Sequence, residues 1–318
     1  MKNKILLVGA GQIGSRYLQA LSKYTDPLEI YVIDNNFNSI EIAKRRWEEE
    51  LIENKKHKIY WNANINNNLI FDISIISTTA EFREKIISNI ASKYKIKFWV
   101  IEKVLAQSLN DLDIIKNSIK DNNSAWVNIP RRCMEAYQDL KKKFLNKKIS
   151  NIEVVGGMWG MGCNSIHFID LVEWFTQQKV IDMDMSNVSH SWIKSKRLGF
   201  YEIIGEIKVL FINNIYLTLK SKLDEKNYLI KINFENGDYL VIDEMKQIIK
   251  NSKGFSSKFL FENQSDIFTK VAYKIINDNT CELTTLENSI RQHKIFLDKL
   301  NIHWNIANNR KDKKVPIT

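Results

Sequence analysis

Gly9, Gly11 and Gly14 stand at the spacing Gly-x-Gly-x-x-Gly, directly after an apolar run at residues 4–8 and ahead of a helical pattern. Such a loop does its chemistry through the backbone. Gly9 permits the tight turn out of a strand, and Gly11 lets the main chain approach a pyrophosphate. Gly14 lets the helix pack on the strand with its first N–H groups, those of Gln12 and Ile13, facing phosphate. Asp34 follows twenty residues after Gly14, at the end of a second apolar run and beside Asn35. A carboxylate at that distance meets the diol of an adenosine ribose. Its alternative is a solvated turn residue. A 2′-phosphate next to Asp34 is repelled and no arginine directly follows it, so the pattern favours NAD over NADP.

Two further groups carry side-chain chemistry. Glu102-Lys103 closes an apolar run at residues 98–101. Ligands of open α/β sheets bind beyond the carboxyl ends of strands, so Lys103 is placed to shuttle the proton of a substrate hydroxyl; an exposed Glu–Lys pair is the plainer alternative. The chain has only 11 glycines, and four of them fall at Gly156, Gly157, Gly160 and Gly162, ahead of a helical pattern carrying His167 and Asp170. A glycine-dense loop opening a helix suits close approach to a ligand. His167 in the first turn and Asp170 three residues on share one helix face, either as substrate contacts or as a satisfied histidine with a helix-dipole partner. Arg131 and Arg132 suit bidentate capture of a carboxylate or phosphate, or structural ion pairs.

The elements that must position these residues alternate in the first part of the chain. Short, nearly all-apolar runs near 4–8, 29–33, 73–77, 97–101 and 125–127 read as strands buried on both faces. Helical stretches at 12–23, 38–53, 82–93 and 109–119 separate them. This is a doubly wound parallel pattern, a Rossmann domain over residues 1–127. From 128 to 303 the pattern changes. Strand-like runs near 151–158, 187–193, 202–211, 214–221, 227–234 and 238–242 lack intervening helices, and Asn236-Gly237 signals a hairpin turn. They predict an α/β domain on an open, mostly antiparallel sheet, with helices at 133–145, 166–177, 264–277 and 285–300. Residues 304–318, rich in Lys and Asn, are expected to form a flexible tail.

Composition bounds the rest. The chain has 318 residues, 44% hydrophobic and 26% charged, enough for two domains with sizeable cores. No apolar run approaches the ~20 residues that span a bilayer, and the apolar start runs into the glycine loop without a cleavage site, so it reads as a first strand and not as a signal peptide. The three cysteines, Cys133, Cys163 and Cys281, are scattered without a CxxC pair. They suggest neither a disulfide framework nor a metal site, and point to a reducing cytoplasm. The net charge of +10 is spread over scattered lysines; it does not form a nucleic-acid-binding stripe, and it attracts phosphorylated small molecules.

The glycine loop, Glu102-Lys103, Asn128-Ile129-Pro130-Arg131-Arg132, Ile166-His167-Phe168-Ile169-Asp170-Leu171 and the C-terminal Leu283-Thr284-Thr285-Leu286-Glu287 together resemble the glucose–fructose oxidoreductase/inositol dehydrogenase (Gfo/Idh/MocA) family, nearly end to end. The resemblance implies oxidation or reduction of sugars, cyclitols and sugar nucleotides with NAD(P). Lys103 matches the lysine of the family's Glu-Lys-Pro motif, and His167 the histidine of its Asp-x-x-x-His motif; these contact the carbon that exchanges hydride. Ser77, Thr78 and Thr79 match a strand-end loop that lies against the cofactor. Three departures mark a divergent member. The proline, which often introduces a cis bond, is Val104. The aspartate is Cys163, followed by Asn164, which retains a hydrogen bond for substrate or His167. Arg83 stands where many members have histidine.

The reaction expected is hydride transfer between nicotinamide and a carbinol carbon of a sugar-like small molecule, with Lys103 and His167 as acid/base candidates. By resemblance to divergent bacterial members it serves surface-polysaccharide or nonulosonate biosynthesis, and the open sheet face makes a homodimer or homotetramer. Two other readings stay open: an epimerase or lyase using tightly held NAD for transient oxidation, and a non-catalytic nucleotide-binding scaffold.

Overall fold

The computed structural model describes residues 2–50, 56–119, 124–145, 147–223 and 227–318. The chain divides into two units. The first comprises Met1–Ala106, Asn110–Cys133 and Glu262–Ser289, the second Gln107–Leu109, Met134–Phe261 and Ile290–Thr318.

The first unit is built on β1 (Asn3–Val8), β2 (Leu28–Ile33), β3 (Lys58–Trp61), β4 (Ile70–Ile76), β5 (Lys95–Glu102) and β6 (Ala125–Asn128). They form a parallel sheet in the order β6-β5-β4-β1-β2-β3. The central strands are solidly apolar because helices cover both faces: Ile5, Leu6, Leu7, Ile73, Ile75, Val100 and Ile101 are fully buried. Helices α1 (Gln12–Ser22), α2 (Phe37–Glu48), α3 (Arg83–Lys93) and α4 (Leu109–Ser118) connect them. The strand order reverses between β1 and β4, and there the glycine loop emerges, which is where open α/β sheets bind ligands. The expected helix over 38–53 ends at Glu48 among the described residues, and residues 51–53 lie outside them. β3 is short and half-buried and was not legible as a strand.

The second unit carries α5 (Glu135–Lys143), β7 (Ile149–Gly156), α6 (Met161–Thr176) and β8 (Val180–Val188). A two-stranded ribbon follows, β9 (Ile193–Lys194) with β10 (Tyr201–Glu202). Then come β11 (Gly205–Phe211), β12 (Ile215–Ser221), β13 (Tyr228–Phe234), β14 (Tyr239–Asp243), β15 (Ile248–Asn251) and β16 (Ser256–Lys258). The eight-stranded sheet runs β16-β15-β14-β13-β7-β12-β11-β8, antiparallel except where β12 runs beside β7. Strict alternation makes it one-sided: Leu217, Leu219, Ile230 and Ile232 are fully buried, while Tyr216 and Leu229 on the opposite face are 45% and 42% exposed. The fold class is therefore the one the sequence predicts. The strand expected at 187–193 lies earlier, at Val180–Val188, because its exposed positions alternate as Asp182, Asp184 and Ser186 and conceal the run.

Two domain expectations are corrected. The first unit runs six residues past 127, through a 3-10 turn at Pro130–Cys133, and takes back Glu262–Ser289. That segment forms α7 (Gln264–Asp278) and β17 (Thr284–Thr285), which pairs antiparallel with β6. α7 packs on α1 through Tyr17 and Phe268, ring centroids 4.4 Å apart, a Thr269 hydroxyl donating to the Ala20 carbonyl at 3.0 Å, and Lys23 paired with Asp266 at 2.8 Å. Nor are residues 304–318 a flexible tail. α8 runs from Leu286 to Asn308, and beyond it Val315 and Ile317 are fully buried. The Val315 N–H donates to the Gln107 carbonyl at 2.9 Å, and the Gln107 amide to the Ile317 carbonyl at 2.9 Å. Two apolar residues were enough to fix what the lysines around them disguised. Among the described residues no helix is long and apolar enough to cross a membrane.

Candidate active site

In the first unit the glycine loop is held in shape by its own strand ends. The Gly9 N–H donates to the Ile33 carbonyl at 2.8 Å, and the Ser77 N–H to the Val8 carbonyl at 2.9 Å. The Ser77 hydroxyl donates to the Gly9 carbonyl at 2.6 Å. Gly9 sits at φ +96°, and a Cβ on Gly14 would stand 2.0 Å from the Gly9 carbonyl oxygen, so neither position admits a side chain. Gly11 differs: a Cβ there would meet nothing within 4 Å. α1 starts at Gly11 with no side-chain cap and no acidic residue in its first turn. The positive dipole end of α1 thus starts without a side-chain cap, beside the open space at Gly11.

Asp34 is brought directly against this loop. One carboxylate oxygen accepts the Ala10 N–H at 2.6 Å and the other the Asn36 N–H at 2.7 Å. Asn62 fixes the backbone of Asp34 from β3's end, with bonds of 3.0 and 2.9 Å. Asn35 beside it is exposed. On the other side of the loop, Thr78 Oγ1 is buried without a hydrogen-bond partner. An open cradle at Gly11, a helix start without an acid, a ribose-spaced carboxylate and an orphaned hydroxyl at a strand end fit a dinucleotide.

Lys103 is half-buried at the end of β5, between the buried Glu102 and Val104. The Lys103–Val104 peptide is cis, although no proline stands there. The Glu102 side chain ties this turn to other segments of the first unit. Its Oε1 accepts the Tyr17 hydroxyl at 2.5 Å, the Asn128 amide at 2.7 Å and the Gln264 amide at 3.3 Å. Burial, and then the Glu102 carboxylate, hold the Tyr17 phenol well above its ordinary pKa, so it remains a donor. Arg83, 1% exposed, donates to the carbonyls of Thr78, Glu102 and Val104. One guanidinium thereby ties the 77–79 loop to the Lys103 turn. Arg131 is buried and Arg132 half-buried in the 3-10 turn after β6.

In the second unit α6 begins at Met161, inside the glycine cluster, and not at 166. His167 therefore lies in the second turn, half-buried. Gly160 adopts φ +75° to start the helix, and Gly156 lies so close to β13 that a Cβ would stand 2.2 Å from the Asn227 carbonyl. Trp159 anchors the loop, its indole donating to the Lys220 carbonyl at 3.0 Å and its ring meeting Phe168 edge-on at 5.4 Å. Asn164 donates to the Trp159 carbonyl at 2.7 Å. Asp170 is 1% exposed and accepts from Gln292 on α8 at 3.2 Å, next to Glu173, which Arg291 grips at 2.8 and 2.5 Å. α8 covers the face that Asp170 shares with Glu173.

Tyr17 and Gln264 in the first unit, and Glu202 in the second, are not legible as site residues in the sequence. A tyrosine on the buried face of α1 needs a hydroxyl partner, a signal that was available. Gln264 comes from a distant return of the chain and left none. Glu202 accepts the Gly162 N–H at 2.6 Å.

No family model matches the sequence, and no curated protein matches it. Solved structures do. Myo-inositol 2-dehydrogenase from Lactobacillus plantarum superposes with a TM-score of 0.67 at 18% identity, covering 100% of each chain. UDP-N-acetylglucosamine 3-dehydrogenase from Acidithiobacillus ferrooxidans gives 0.67 at 12% identity, covering 96% of this chain and 98% of that one. An oxidoreductase from Agrobacterium radiobacter, in complex with NAD+, L-tartaric acid and magnesium, gives 0.70 at 13% identity, covering 98% of both. The chain has the two-domain fold of these dehydrogenases over essentially its whole length, the fold that the sequence resemblance implies.

Proposed function

We propose that this protein is an NAD-dependent oxidoreductase acting on a carbinol or keto carbon of a sugar, sugar nucleotide or related polyol. The observation that carries the reading is the dinucleotide cradle: Gly11 facing open space at the uncapped start of α1, with Asp34 bonded to Ala10 beside it. Gly11, Gln12, Ile13 and Gly14 would hold the pyrophosphate, Asp34 the adenosine ribose, and Thr78 and Thr79 would line the cofactor. Bound NAD supplies a hydride acceptor. Oxidation of a carbinol also requires the hydroxyl proton to leave, which a placed base accelerates by ~10²–10⁴. Lys103, on a turn fixed by Arg83 and Glu102, and His167, on α6, are the two groups for that proton. The dehydrogenases of like fold support the same chemistry, and one of them was solved with NAD+ bound.

The face of the eight-stranded sheet that leaves Tyr216, Leu229 and Tyr239 exposed supports a homodimer or homotetramer. A cytoplasmic role in building surface polysaccharide or nonulosonate sugars fits the same reading.

Fluorescence titration with NADH and NADPH tests the cofactor. An absorbance screen over polyols, sugars and sugar nucleotides, paired with mass spectrometry for epimerised products, tests the reaction. The expected result is NADH binding, net redox turnover, and a fall of about 10²-fold or more in Lys103→Ala and His167→Ala with folding intact. Epimerised product without NADH change replaces net redox by transient oxidation. Failure to bind either nucleotide overturns the proposal.

A further inference from the structure

α6 carries His167, yet nothing in its own sequence steadies its start. Its N-cap is Gly160, in the left-handed region, with no side-chain cap, and its first turn has no acidic residue. Cys163 and Asn164 occupy that turn. A helix start of this kind leaves orphan N–H groups and a positive dipole end uncompensated.

The compensation comes from forty residues away. Glu202 Oε2 accepts the Gly162 N–H at 2.6 Å. A Cβ on Gly162 would stand 2.8 Å from that oxygen, so the glycine is what admits the carboxylate. The point where a Cβ of Gly160 would sit lies 3.2 Å from Cys163 Sγ, 3.0 Å from the Asn164 amide nitrogen and 3.3 Å from Glu202 Oε1. The carboxylate, the thiol and the amide therefore crowd one spot at the mouth of α6.

Glu202 is held there firmly. It ends β10, paired with β9, and its neighbours Phe200 and Ile203 are buried. The Tyr201 N–H donates to the Pro316 carbonyl at 2.9 Å, and the Tyr201 ring packs on Trp304 at 5.2 Å. Trp304 is fixed in turn by a 2.9 Å bond from its indole to Asp312. The packed C-terminal segment, the ribbon, Glu202 and the glycine cluster form one chain of contacts.

We propose that Glu202 is the positioning carboxylate of the His167 helix: it caps α6 through Gly162 and places beside Cys163 and Asn164 the negative charge that the first turn lacks. It acts on substrate through the placement of Asn164 and His167. The charge on Glu202, and not only its hydrogen bond, is what the site uses. The functional half of this inference rests on the proposed oxidoreductase reading; the placement of the charge does not.

Two measurements on the full-length protein separate these halves. Glu202→Gln keeps an oxygen acceptor for Gly162 and removes the charge; Glu202→Ala removes both. The first measurement is iodoacetamide alkylation of Cys163, followed by mass spectrometry. A nearby carboxylate disfavours thiolate. Cys133 is buried, and burial pushes the Cys281 thiol up to about 12, so both react slowly and serve as references. Cys163 should alkylate about threefold or more faster in Glu202→Gln, with the references unchanged. The second measurement is kcat and KM, with whichever sugar turns over in the screen, alongside NADH titration. Glu202→Gln should lower kcat/KM by about tenfold and Glu202→Ala further, with the NADH affinity of Glu202→Gln at the wild-type value and its melting temperature lower by only about 1–4 °C, the loss of one dipole-end charge. Wild-type alkylation of Cys163 in Glu202→Gln overturns the charge placement, and wild-type kcat/KM in that variant overturns the functional role. Absence of NADH binding in the wild-type protein overturns the oxidoreductase reading and the functional role with it, and leaves the alkylation arm to decide the charge.

Discussion

The glycine loop permits a sharp test, because its glycines are needed for different reasons. Gly14→Ala places a methyl 2.0 Å from the Gly9 carbonyl oxygen and 2.9 Å from the Gly9 carbonyl carbon. Both are backbone atoms in a turn pinned by Ser77, so the helix and strand must separate. Overpacking of this kind costs ~1–3 kcal/mol, and the upper end applies because no flexible side chain can yield. With a shift of ~2–4 °C per kcal/mol for a domain of this size, Gly14→Ala should melt about 6–12 °C below wild type. Gly11→Ala is the counterpart. Its Cβ meets no protein atom within 4 Å, and its φ of −66° with ψ of −159° is open to alanine. Replacing an N-cap glycine by alanine costs ~0.3–1.5 kcal/mol and the stiffer unfolded chain returns ~0.4–1 kcal/mol, so stability should stay within about 1 kcal/mol of wild type. Nucleotide affinity should not. The methyl occupies the space assigned to the pyrophosphate, and the same ~1–3 kcal/mol overpacking term becomes roughly a 5- to 150-fold rise in the NADH dissociation constant. Calorimetry and NADH fluorescence on the two variants form the assay. Wild-type NADH affinity in Gly11→Ala would refute the cradle; wild-type stability in Gly14→Ala would refute the loop geometry.

Other consequences follow from residues whose placement is now fixed. Asp170→Ala should cost ~1–3 kcal/mol of stability by removing a buried acceptor from Gln292, while KM in the turnover assay stays within about twofold of wild type; a selective rise in KM would return Asp170 to the substrate. Deleting residues 313–318 removes Val315 and Ile317, each worth ~1.5–3 kcal/mol of burial, and a denaturant melt should show the loss that a free tail would not. His57 is buried, its Nδ1 accepting the Leu28 N–H at 3.1 Å and its Nε2–H donating to the Ser22 carbonyl at 3.2 Å, and burial lowers its pKa below 6.5. Below that value the unfolded chain binds a proton that the folded ring refuses, so stability is complete above about pH 6.5 and falls as the pH drops toward the folded value. His303, likewise lowered by burial and accepting from Trp192 at 3.2 Å, adds to the same slope. Melting temperature against pH from 7.5 to 5.5 should therefore decline, and His57→Gln should flatten the decline; an unchanged slope contradicts this account.

Features that depend on local spacing are legible in the amino-acid sequence alone. Gly9, Gly11, Gly14 and Asp34 announced a dinucleotide loop because a phosphate-binding turn needs particular backbone freedom at fixed intervals, and the structure brings Asp34 to within a hydrogen bond of Ala10. The change from all-apolar runs to alternating strands likewise separated a sheet covered on both faces from one covered on a single face. Contacts between segments far apart in the chain are a different matter, set by how the chain folds back on itself. Glu102 was visible as a strand-end acid, but its three donors come from residues 17, 128 and 264. Asp170 shared a helix face with His167 on paper, and only the arrival of Gln292 showed which side of α6 was closed. Glu202 sat in a stretch with no motif, and became the cap of α6 because the ribbon and the buried C-terminal segment fold it onto Gly162. Local rules fix backbone conformation and periodicity; the partner of a buried charge is chosen by chain return, which no window of sequence contains.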